Sequence, residues 1–404
     1  MERSFISYTE ALDVIADHQK SFAVITVPIV DVGGHFLAED LIADRDFPPY
    51  NRVAMDGIAI NHSSFARGVR SFPIEKTVGA GAPQVALEDV NNCIEIMTGG
   101  ILPKNVDTVI RYEDLTIENG TAAINLEEVT RRKNIHFKGM DIAQGTIIKK
   151  AGGRLSSAEI NVAASIGKHE LKVYKMPKAA IISTGDELVD VHETPLAHQI
   201  RRSNVYGIKN TLQEWGINSD LKHIPDDKNE MEVIIDNLLK DYDFLVITGG
   251  VSKGKYDYLP DVLKNLGVVK QFHKIKQKPG KPFWFGVSNE GKPVFALPGN
   301  PVSSFVCTYI YIRHWLRSSL KMDTNFTYVT LAEDILFKPE LTFFIESKIK
   351  NLDNGTIVAT AVFGNGSGDF INLVNTDGFL ILPPEKEVFK KGEVYPFVYY
   401  RNEI

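Results

Sequence analysis

The chain has only two cysteines, Cys93 and Cys307, among its 404 residues. Because they lie far apart in the sequence, we expect neither a disulfide framework nor a cysteine metal site, and both thiols should be buried apolar groups. No segment reaches the roughly 18 consecutive apolar residues that a membrane span needs, and the first residues lack a basic region followed by a long apolar run. The cytoplasm is therefore the expected location.

An excess of positive charge is also lacking. The net charge is −6 and the pI is near 6.0, which argues against nucleic-acid or acidic-membrane binding. The hydrophobic fraction of 44% and the charged fraction of 24% are those of an ordinary soluble protein, and internal repeats are absent. A chain of this length predicts two to four domains.

The N-terminal third predicts a helical region that is interrupted by β structure. We expect a helix over residues 8–20 with Thr9 as N-cap, a strand over 24–32 and a short helix over 36–41. From Ile58 to Ile148 the sequence consists of short β-branched runs separated by turn clusters, which is typical of a small all-β domain. A helix over 156–166, ended by Gly167, follows it.

Strands and helices then alternate as in a doubly wound, mostly parallel α/β domain. The predicted strands are 178–183, 218–224, 244–248 and 293–297, and the predicted helices are 204–215, 230–239, 258–266 and 301–317. Beyond Lys321 the short strand-like runs predict a C-terminal β-barrel. We therefore divide the chain into an N-terminal mixed helical domain (1–45 and 147–176), an inserted β domain (46–146), an α/β domain (177–322) and a barrel (323–404).

Three glycine-rich turns follow one another in the α/β domain, at residues 248–257, 278–281 and 297–301. The first and third come directly after apolar runs that are typical of buried parallel strands. Loops at the carboxyl ends of such strands form the ligand crevice, so the three turns should converge on one site. Glycine lets backbone N–H groups approach an anion closely, so the site should bind phosphate.

Four carboxylates occupy loops after predicted strands: Glu187, Asp226, Asp227 and Asp257. Such a set suits Mg²⁺ bridged to the phosphates of a substrate. Helix capping is the alternative, since Asp257 precedes one predicted helix and Asp226-Asp227 precede another.

A second charged group is a run of lysines, Lys274, Lys276, Lys278 and Lys281. On a strand the even-numbered three would share one face, and Gly280 would turn Lys281 back towards it. Lysine point charges fit a tetrahedral oxyanion, although a charge run is more often only a solvated face.

Together with Ser183-Thr184-Gly185-Asp186-Glu187-Leu188, Met55-Asp56-Gly57 and Met97-Thr98-Gly99, these motifs make the whole chain resemble the MoeA/gephyrin E-domain family of molybdopterin molybdenumtransferases. The resemblance implies insertion of molybdate into adenylylated molybdopterin, release of AMP and formation of the molybdenum cofactor, with Mg²⁺. It also implies a homodimer with a shared active site, and a molybdopterin adenylyltransferase and molybdoenzymes as partners.

The resemblance assigns roles to particular residues. By it, the catalytic residues are Lys274, Lys278, Asp257, Asp226, Glu187, Asp56, Thr98 and Asp141, of which Glu187, Asp226 and Asp257 are the metal ligands. The cofactor-binding residues are Thr184, Gly185, Gly249, Gly250, Ser252, Gly280, Lys281, Pro298, Gly299, Asn300 and Pro301. Without the resemblance, Asp56, Thr98 and Asp141 would be interpreted as turn residues.

The sequence departs from the family pattern near these positions. The motifs Asn-Ile-Arg and Gly-Glu-Asp become Asn-Ile-His at 134–136 and Gly-Met-Asp at 139–141, and a C-terminal arginine has no clear counterpart in 341–346. His136 and Lys138 are candidates to compensate for the lost positive charge. Two alternatives therefore stay open: a scaffolding member of the family without activity, and a molybdopterin adenylyltransferase, against which the other domains argue.

Overall fold

A computed structural model describes residues 5–251, 258–323 and 326–401 of the chain. The chain begins with α1 (Tyr8–Asp17), and its N-cap is Ser7 rather than the predicted Thr9. The Glu10 N–H donates to the Ser7 hydroxyl at 3.2 Å, and the Ser7 N–H donates to the Glu10 carboxylate at 2.8 Å. This reciprocal capping box satisfies two helix N–H groups, which Thr9 does not do.

The segment after α1 is extended. It contains β1 (Val24–Pro28) and β2 (Leu41–Ile42), and the predicted helix over 36–41 is wrong. The Leu37 N–H donates to the Gly153 carbonyl and the Ala38 N–H donates to the Lys172 carbonyl. These backbone groups pair with distant segments, so they are not available for a local helix.

The inserted region forms a six-stranded sheet in the order β7-β4-β6-β5-β9-β8. Its elements are β3 (Arg52–Val53), β4 (Gly57–Ile60), α2 (His62–Ala66), β5 (Ser71–Val78), β6 (Cys93–Ile96), β7 (Thr108–Arg111), a 3₁₀ turn (Tyr112–Asp114), β8 (Leu115–Glu118), β9 (Thr121–Ile124) and β10 (Ile135–His136). Cys93 is buried in this sheet, and the short β3 pairs with β10 beside it. The predicted β region is confirmed.

The chain then returns to the first region through β11 (Ile147–Lys149), α3 (Ser157–Ser165) and β12 (Glu170–Tyr174). β11 pairs with β2 and β12 pairs with β1, so the segments before and after the inserted sheet pair with each other. The predicted helix and its stop are confirmed, because α3 is followed by Gly167 at φ +77°.

The α/β region is doubly wound. In chain order it contains β13 (Lys178–Thr184), β14 (Leu188–Val189), β15 (Ile200–Arg201), α4 (Asn204–Glu214), β16 (Asn218–Ile224), α5 (Lys228–Asp241), β17 (Phe244–Thr248), α6 (Leu259–Asn265), β18 (Val269–His273), β19 (Gln277–Lys278), β20 (Trp284–Val287), β21 (Pro293–Leu297), α7 (Pro301–Cys307), a π-helical turn (Thr308–Ile312) and α8 (Arg313–Ser319). The sheet order is β16-β13-β17-β21-β20-β18. The first four strands are parallel, and β20 is antiparallel to both of its neighbours, β21 and β18.

Alternate residues of the central strands face two separate apolar layers. Phe244 and Val246 of β17 pack with α4, α7 and α8, and Leu245 and Ile247 pack with α5 and α6. Both faces of the sheet are thus covered, which leaves the strand ends as the place for a site. Within the described ranges, no helix has the length and apolar character to cross a bilayer.

The C-terminal region is a closed barrel. It contains β22 (Thr327–Leu331), β23 (Ile335–Leu336), β24 (Thr342–Asn351), β25 (Ile357–Ala361), a 3₁₀ turn (Ile371–Val374), β26 (Gly378–Leu382), β27 (Val388–Phe389) and β28 (Val394–Tyr399). The order β24-β25-β22-β28-β26 closes because β24 also pairs with β26. Strand pairing also joins the barrel to the α/β region, because β19 pairs in parallel with β24 and Lys278 lies opposite Phe343.

Candidate active site

The strand-end cavity lies at the carboxyl ends of the parallel strands and has a volume of about 730 Å³. Its lining includes Thr184 and Glu187 after β13, Gly249 after β17, and Gly299 and Asn300 after β21. The predicted convergence of the first and third glycine-rich turns is confirmed for the described residues. Ser252 and Asp257 lie outside the described part of the chain.

Glycines allow these turns to approach one another closely. Gly249 has φ +96°, and a Cβ atom there would lie 2.9 Å from the carbonyl oxygen of Thr184. Gly185 has φ +131°, and a Cβ atom there would lie 2.5 Å from Oε2 of Glu187. Any side chain at Gly185 would therefore push the Glu187 carboxylate out of position.

Two arginines that the sequence analysis did not select also line the strand-end cavity. Arg201 and Arg202 precede α4, and a guanidinium nitrogen of Arg202 donates to Asp190 at 2.5 Å. The hydrogen bond from Arg202, together with that from Tyr206, lowers the pKa of Asp190 to about 2. The sequence signal that could have identified them is a pair of arginines directly before a helix. The N-terminal end of a helix attracts anions, and the two arginines add positive charge there.

The lysine cavity, of about 650 Å³, lies between the α/β region and the barrel. Its lining includes Lys278, Gly280 and Lys281 from the α/β region and Phe343 and Glu346 from β24 of the barrel. The second glycine-rich turn thus opens into a different cavity from the other two, and this cavity adjoins theirs at Asn300. The physical reason is the pairing of β19 with β24, which turns this segment towards the barrel.

Gly280 and Lys278 are fixed by different contacts. A Cβ atom at Gly280 would lie 2.7 Å from Nε2 of Gln277 and 2.9 Å from Sγ of the buried Cys307, so only glycine fits there. The Lys278 ammonium lies 5.6 Å from the ring centroid of Phe337 and 5.7 Å from that of Phe343, within the range of cation–π attraction. These contacts hold the ammonium at the mouth of the lysine cavity.

The predicted common face of the lysine run is wrong. β18 ends at His273, and Lys274 has φ +76°, so the strand is interrupted before β19 begins. The ammonium groups of Lys276 and Lys281 lie 5.7 Å and 5.1 Å from the ring centroid of Phe5. Lys274 is not among the residues that line the two cavities.

Asn300 lines both cavities and separates them. Its side-chain amide donates to the Ser367 hydroxyl at 2.7 Å, and the Val302 N–H donates to the Ser367 carbonyl at 3.1 Å. The Asn204 amide also donates to the Gly299 carbonyl at 2.7 Å. The turn that includes Pro298 and Pro301 is thus tied to α4 and to the barrel.

The N–H groups at the start of α7 are partly occupied. The Val302 N–H bonds to Ser367 and the Ser304 N–H donates to the Asn300 carbonyl at 3.0 Å, so neither of these two is available to a ligand. Anion binding at this turn would therefore rest on groups other than the N–H groups of Val302 and Ser304.

Of the three predicted acidic residues that the structure describes, Glu187 lines the strand-end cavity, whereas Asp226 and Asp227 do not. Asp227 is the N-cap of α5 and accepts the N–H groups of Asn229 at 3.0 Å and Glu230 at 2.9 Å. The Asp226 N–H donates to Asp186, and Asp226 lies outside the lining of the two cavities. Among the residues described, no group of three or more His, Cys, Asp or Glu side chains could hold a metal ion.

In the inserted β region, Asp56 and Thr98 are in direct contact. The Thr98 N–H donates to Oδ1 of Asp56 at 2.6 Å, and this backbone hydrogen bond, followed by one from the Thr98 side chain, lowers the pKa of Asp56. Thr98 is held in place because the next residue, Gly99, donates its N–H to Val53 of β3. Neither Asp56 nor Thr98 lines the two cavities of its own chain.

Asp141, which follows β10 in the chain, belongs to a hydrogen-bonded group with Arg52 of β3 and His136 of β10. A guanidinium nitrogen of Arg52 lies 3.3 Å from Nδ1 of His136, and Nε2 of His136 lies 2.8 Å from Oδ1 of Asp141. Arginine can only donate, so Nδ1 accepts and Nε2 carries the hydrogen that it donates to Asp141. His136 thus links the Arg52 guanidinium to the carboxylate of Asp141, which is a predicted site residue. Like Asp56 and Thr98, Asp141 is absent from the lining of both cavities.

Three family models match consecutive parts of the chain. They are described as the MoeA N-terminal region (domain I and II) at residues 6–167, a probable molybdopterin binding domain at residues 180–318, and the MoeA C-terminal region (domain IV) at residues 328–398.

Similar proteins cover almost the whole length. A molybdopterin molybdenumtransferase of Synechocystis sp. is 41% identical over 398 residues, which are 97% of this chain and 99% of that protein. One from Staphylococcus epidermidis is 30% identical over 401 residues, 97% of this chain and 95% of that protein. The crystal structure of a molybdopterin biosynthesis MoeA protein from Pyrococcus horikoshii superposes with a TM-score of 0.81 at 27% identity, covering 99% of this chain and 100% of that one.

Proposed function

The chain belongs to the MoeA family of molybdopterin molybdenumtransferases, and from that premise we propose that it inserts molybdate into adenylylated molybdopterin, releasing AMP and forming the molybdenum cofactor. Membership in this family makes the chain an enzyme of molybdenum cofactor biosynthesis. The observation that carries the detailed proposal is the pair of adjoining cavities that meet at Asn300. The strand-end cavity is bounded by the first and third glycine-rich turns. The lysine cavity is bounded by the second glycine-rich turn, which carries Lys278 and Lys281.

We assign the phosphates of the substrate to the strand-end cavity. Its donors are the backbone N–H groups and hydroxyls of the turns, and Arg201 and Arg202 add positive charge. The hydroxyl oxygen of Thr184 supports this assignment, because it is buried without a hydrogen-bond partner in the described chain and lines the cavity. Thr184, Gly185, Gly249 and Gly250 remain our proposed phosphate-binding residues, together with Ser252 outside the described residues.

We assign the oxyanion to the lysine cavity. Lys278 and Lys281 line it, and an ammonium is a suitable partner for the oxygens of a tetrahedral dianion. Lys274 remains a proposed member of this group through its position in the family motif. The sulfur ligands of molybdenum come from the pterin dithiolene, so the protein supplies position and charge rather than a nucleophilic side chain.

Mg²⁺ is the divalent ion that we propose for the reaction. The Glu187 carboxylate lines the strand-end cavity, and Mg²⁺ is typically held by one or two carboxylates together with substrate phosphate oxygens. Asp226 and Asp257 remain the other proposed ligands. The bound ion would neutralise phosphate charge and thereby favour departure of AMP.

We further propose a homodimer in which each active site is shared between chains. The support is that Asp56, Thr98 and Asp141 are all exposed and are absent from the lining of the two cavities of their own chain. A two-fold partner would bring this face of the β region to the neighbouring cavities. The domain boundaries given above also remain our proposal.

The proposed function is tested by incubating the purified protein with adenylylated molybdopterin and Mg²⁺, with and without molybdate, and quantifying AMP by chromatography. We expect AMP release that depends on both the protein and molybdate. Tight binding of adenylylated molybdopterin without AMP release would contradict the proposal and favour a scaffolding role.

A further inference from the structure

Glu346 is a buried carboxyl group that faces the lysine cavity. It lies on β24, is only 8% exposed and lines the cavity together with Lys278 and Asn300. Its Oε2 atom is buried and has no hydrogen-bond partner within the described chain. A buried carboxylate oxygen without a partner is costly, so this atom needs either a proton or a ligand.

The charges around Glu346 do not stabilise its ionised form. Asp369, on the loop that follows β25, adds repulsion, and Tyr400 after β28 is uncharged near neutral pH because burial raises its pKa. Lys278 and Lys281 line the cavity, but across the described ranges neither forms an ion pair with Glu346 within 4 Å. Burial, followed by the repulsion from Asp369, raises the pKa of Glu346 to about 7.

The two protonation states of this group have opposite effects on an anion. A neutral carboxyl group can donate its O–H to an oxyanion, and such hydrogen bonds are short and strong. An ionised carboxylate has only acceptor oxygens and repels the same oxyanion. Lys278 and Lys281, which line the same cavity, make it suited to an anion, so the neutral form of Glu346 is the one that is compatible with such a ligand.

We propose that Glu346 is an oxyanion-binding residue of the lysine cavity: as a neutral acid it donates its O–H to the tetrahedral oxyanion that Lys278 and Lys281 attract, and as a carboxylate it excludes that oxyanion. The oxyanion therefore binds together with one proton, which stays on Glu346 while the ligand is bound. This inference rests on the proposed function, because it takes molybdate as the ligand of the lysine cavity.

The test is the binding of molybdate alone to the full-length protein, measured by titration calorimetry from about pH 6 to about pH 9 in two buffers of different ionisation enthalpy. For the wild-type protein we expect the affinity to fall by nearly tenfold for each pH unit above about pH 7, with uptake of close to one proton on binding. Glu346→Gln, which can donate but cannot ionise, should bind with an affinity independent of pH and without that proton uptake.

Two further variants make the result specific. Glu340→Gln removes an exposed carboxylate just before β24 and should keep the wild-type pH profile. Asp369→Asn removes the repelling charge and should move the fall in affinity to lower pH, which tests the inference even if Glu346→Gln does not fold. A flat wild-type profile, an affinity that rises with pH, or an unchanged slope in Glu346→Gln would overturn the inference.

The AMP-release assay on the same preparations separates the two proposals. AMP release together with a pH slope that does not depend on Glu346 would overturn the role of Glu346 and leave the proposed function standing. A slope that depends on Glu346 in a protein that never releases AMP would overturn the proposed function and leave Glu346 as an oxyanion-binding residue.

Discussion

The side-chain amide of Asn300 donates to the hydroxyl of Ser367 at 2.7 Å, joining the α/β region to the barrel between the two cavities. Asn300 lines both cavities, and the Ser367 carbonyl accepts a second hydrogen bond from Val302. This contact joins the glycine-rich turn at Asn300 to the barrel and so constrains how the strand-end cavity stands relative to the lysine cavity. Reaction between two bound groups depends strongly on such relative placement.

Breaking this hydrogen bond should lower activity. A net hydrogen bond contributes about 0.5–1.5 kcal/mol, so Asn300→Ala and Ser367→Ala should each lower kcat/KM by about threefold to tenfold. In the double variant the losses should not add, leaving a coupling energy of about 1 kcal/mol in the double-mutant cycle. Additive effects would show that the pair does not act together in the reaction.

Lys278→Ala should lower AMP release by about tenfold or more, because a charge-assisted contact to an oxyanion contributes about 1.5–3 kcal/mol. Lys276→Ala is the matched control: Lys276 is also exposed, but it packs beside Phe5 and does not line the lysine cavity. The control should keep its rate. Equal losses in the two variants, or a parental rate in a folded Lys278→Ala protein, would contradict the role of Lys278.

Glu187→Gln should raise the Mg²⁺ concentration needed for half-maximal activity by about tenfold, since it removes a carboxylate charge from the strand-end cavity. Asp227→Asn is the comparison, because Asp227 caps α5. It should alter stability by at most about 1 kcal/mol and leave the Mg²⁺ titration unchanged. A normal Mg²⁺ titration in Glu187→Gln would exclude this residue as a ligand.

The raised pKa of Glu346 also predicts a pH dependence of stability. The folded value of about 7 lies above the ordinary value of 4.5, so the stability that it contributes is complete below about pH 4.5 and is lost as the pH rises through about 7. Relative to the wild-type protein, Glu346→Gln should therefore gain at most about 3 kcal/mol in the free energy of unfolding across that interval. Urea denaturation at several pH values measures this gain, and Glu340→Gln should show none.

The shared site predicts complementation between two inactive chains. Asp56→Ala and Lys278→Ala alter opposite parts of the proposed composite site, so a mixed dimer would contain one intact site. After subunit exchange, the mixture should recover up to about a quarter of parental activity, since about half of the dimers would be mixed and each of these has one site in two. Light scattering should show a dimer at micromolar concentration. A monomer, or a mixture that stays inactive after confirmed exchange, would refute the shared site.

Local patterns predicted most of the α/β region. The apolar run ending at Thr184 predicted a strand over 178–183, and β13 is Lys178–Thr184. Such runs identify buried strands because both faces of the sheet are covered. The strands β18 and β20 were not predicted, since their place at one edge of the sheet depends on antiparallel pairing with each other and with β21 rather than on a local pattern.

The site was less predictable because much of it depends on long-range contacts. The position of Glu187 after β13 was sufficient to place it in the strand-end cavity. The pairing of Lys278 with Phe343 was not predictable, since a two-residue strand has no periodicity. Glu346 was missed because its burial beside the lysine cavity depends on packing between the barrel and the α/β region, which no local sequence pattern indicates.

The contact between Asp56 and Thr98 shows where reasoning from single residues is insufficient. Each stands in a separate turn, 42 positions apart, and only the family resemblance selected both. In the structure they are in direct contact, because the Thr98 N–H donates to the Asp56 carboxylate. Their role in the reaction remains a prediction.

The most direct test of the proposed function is the stoichiometry of one reaction, in which released AMP and pterin-bound molybdenum are measured together. The protein, adenylylated molybdopterin, Mg²⁺ and molybdate would be incubated, and AMP would be quantified by chromatography and molybdenum in the pterin fraction by mass spectrometry. We predict equal amounts of the two products, both reduced in Lys278→Ala and both retained in Lys276→Ala. AMP release without molybdenum in the pterin fraction, or no AMP release at all, would contradict the account.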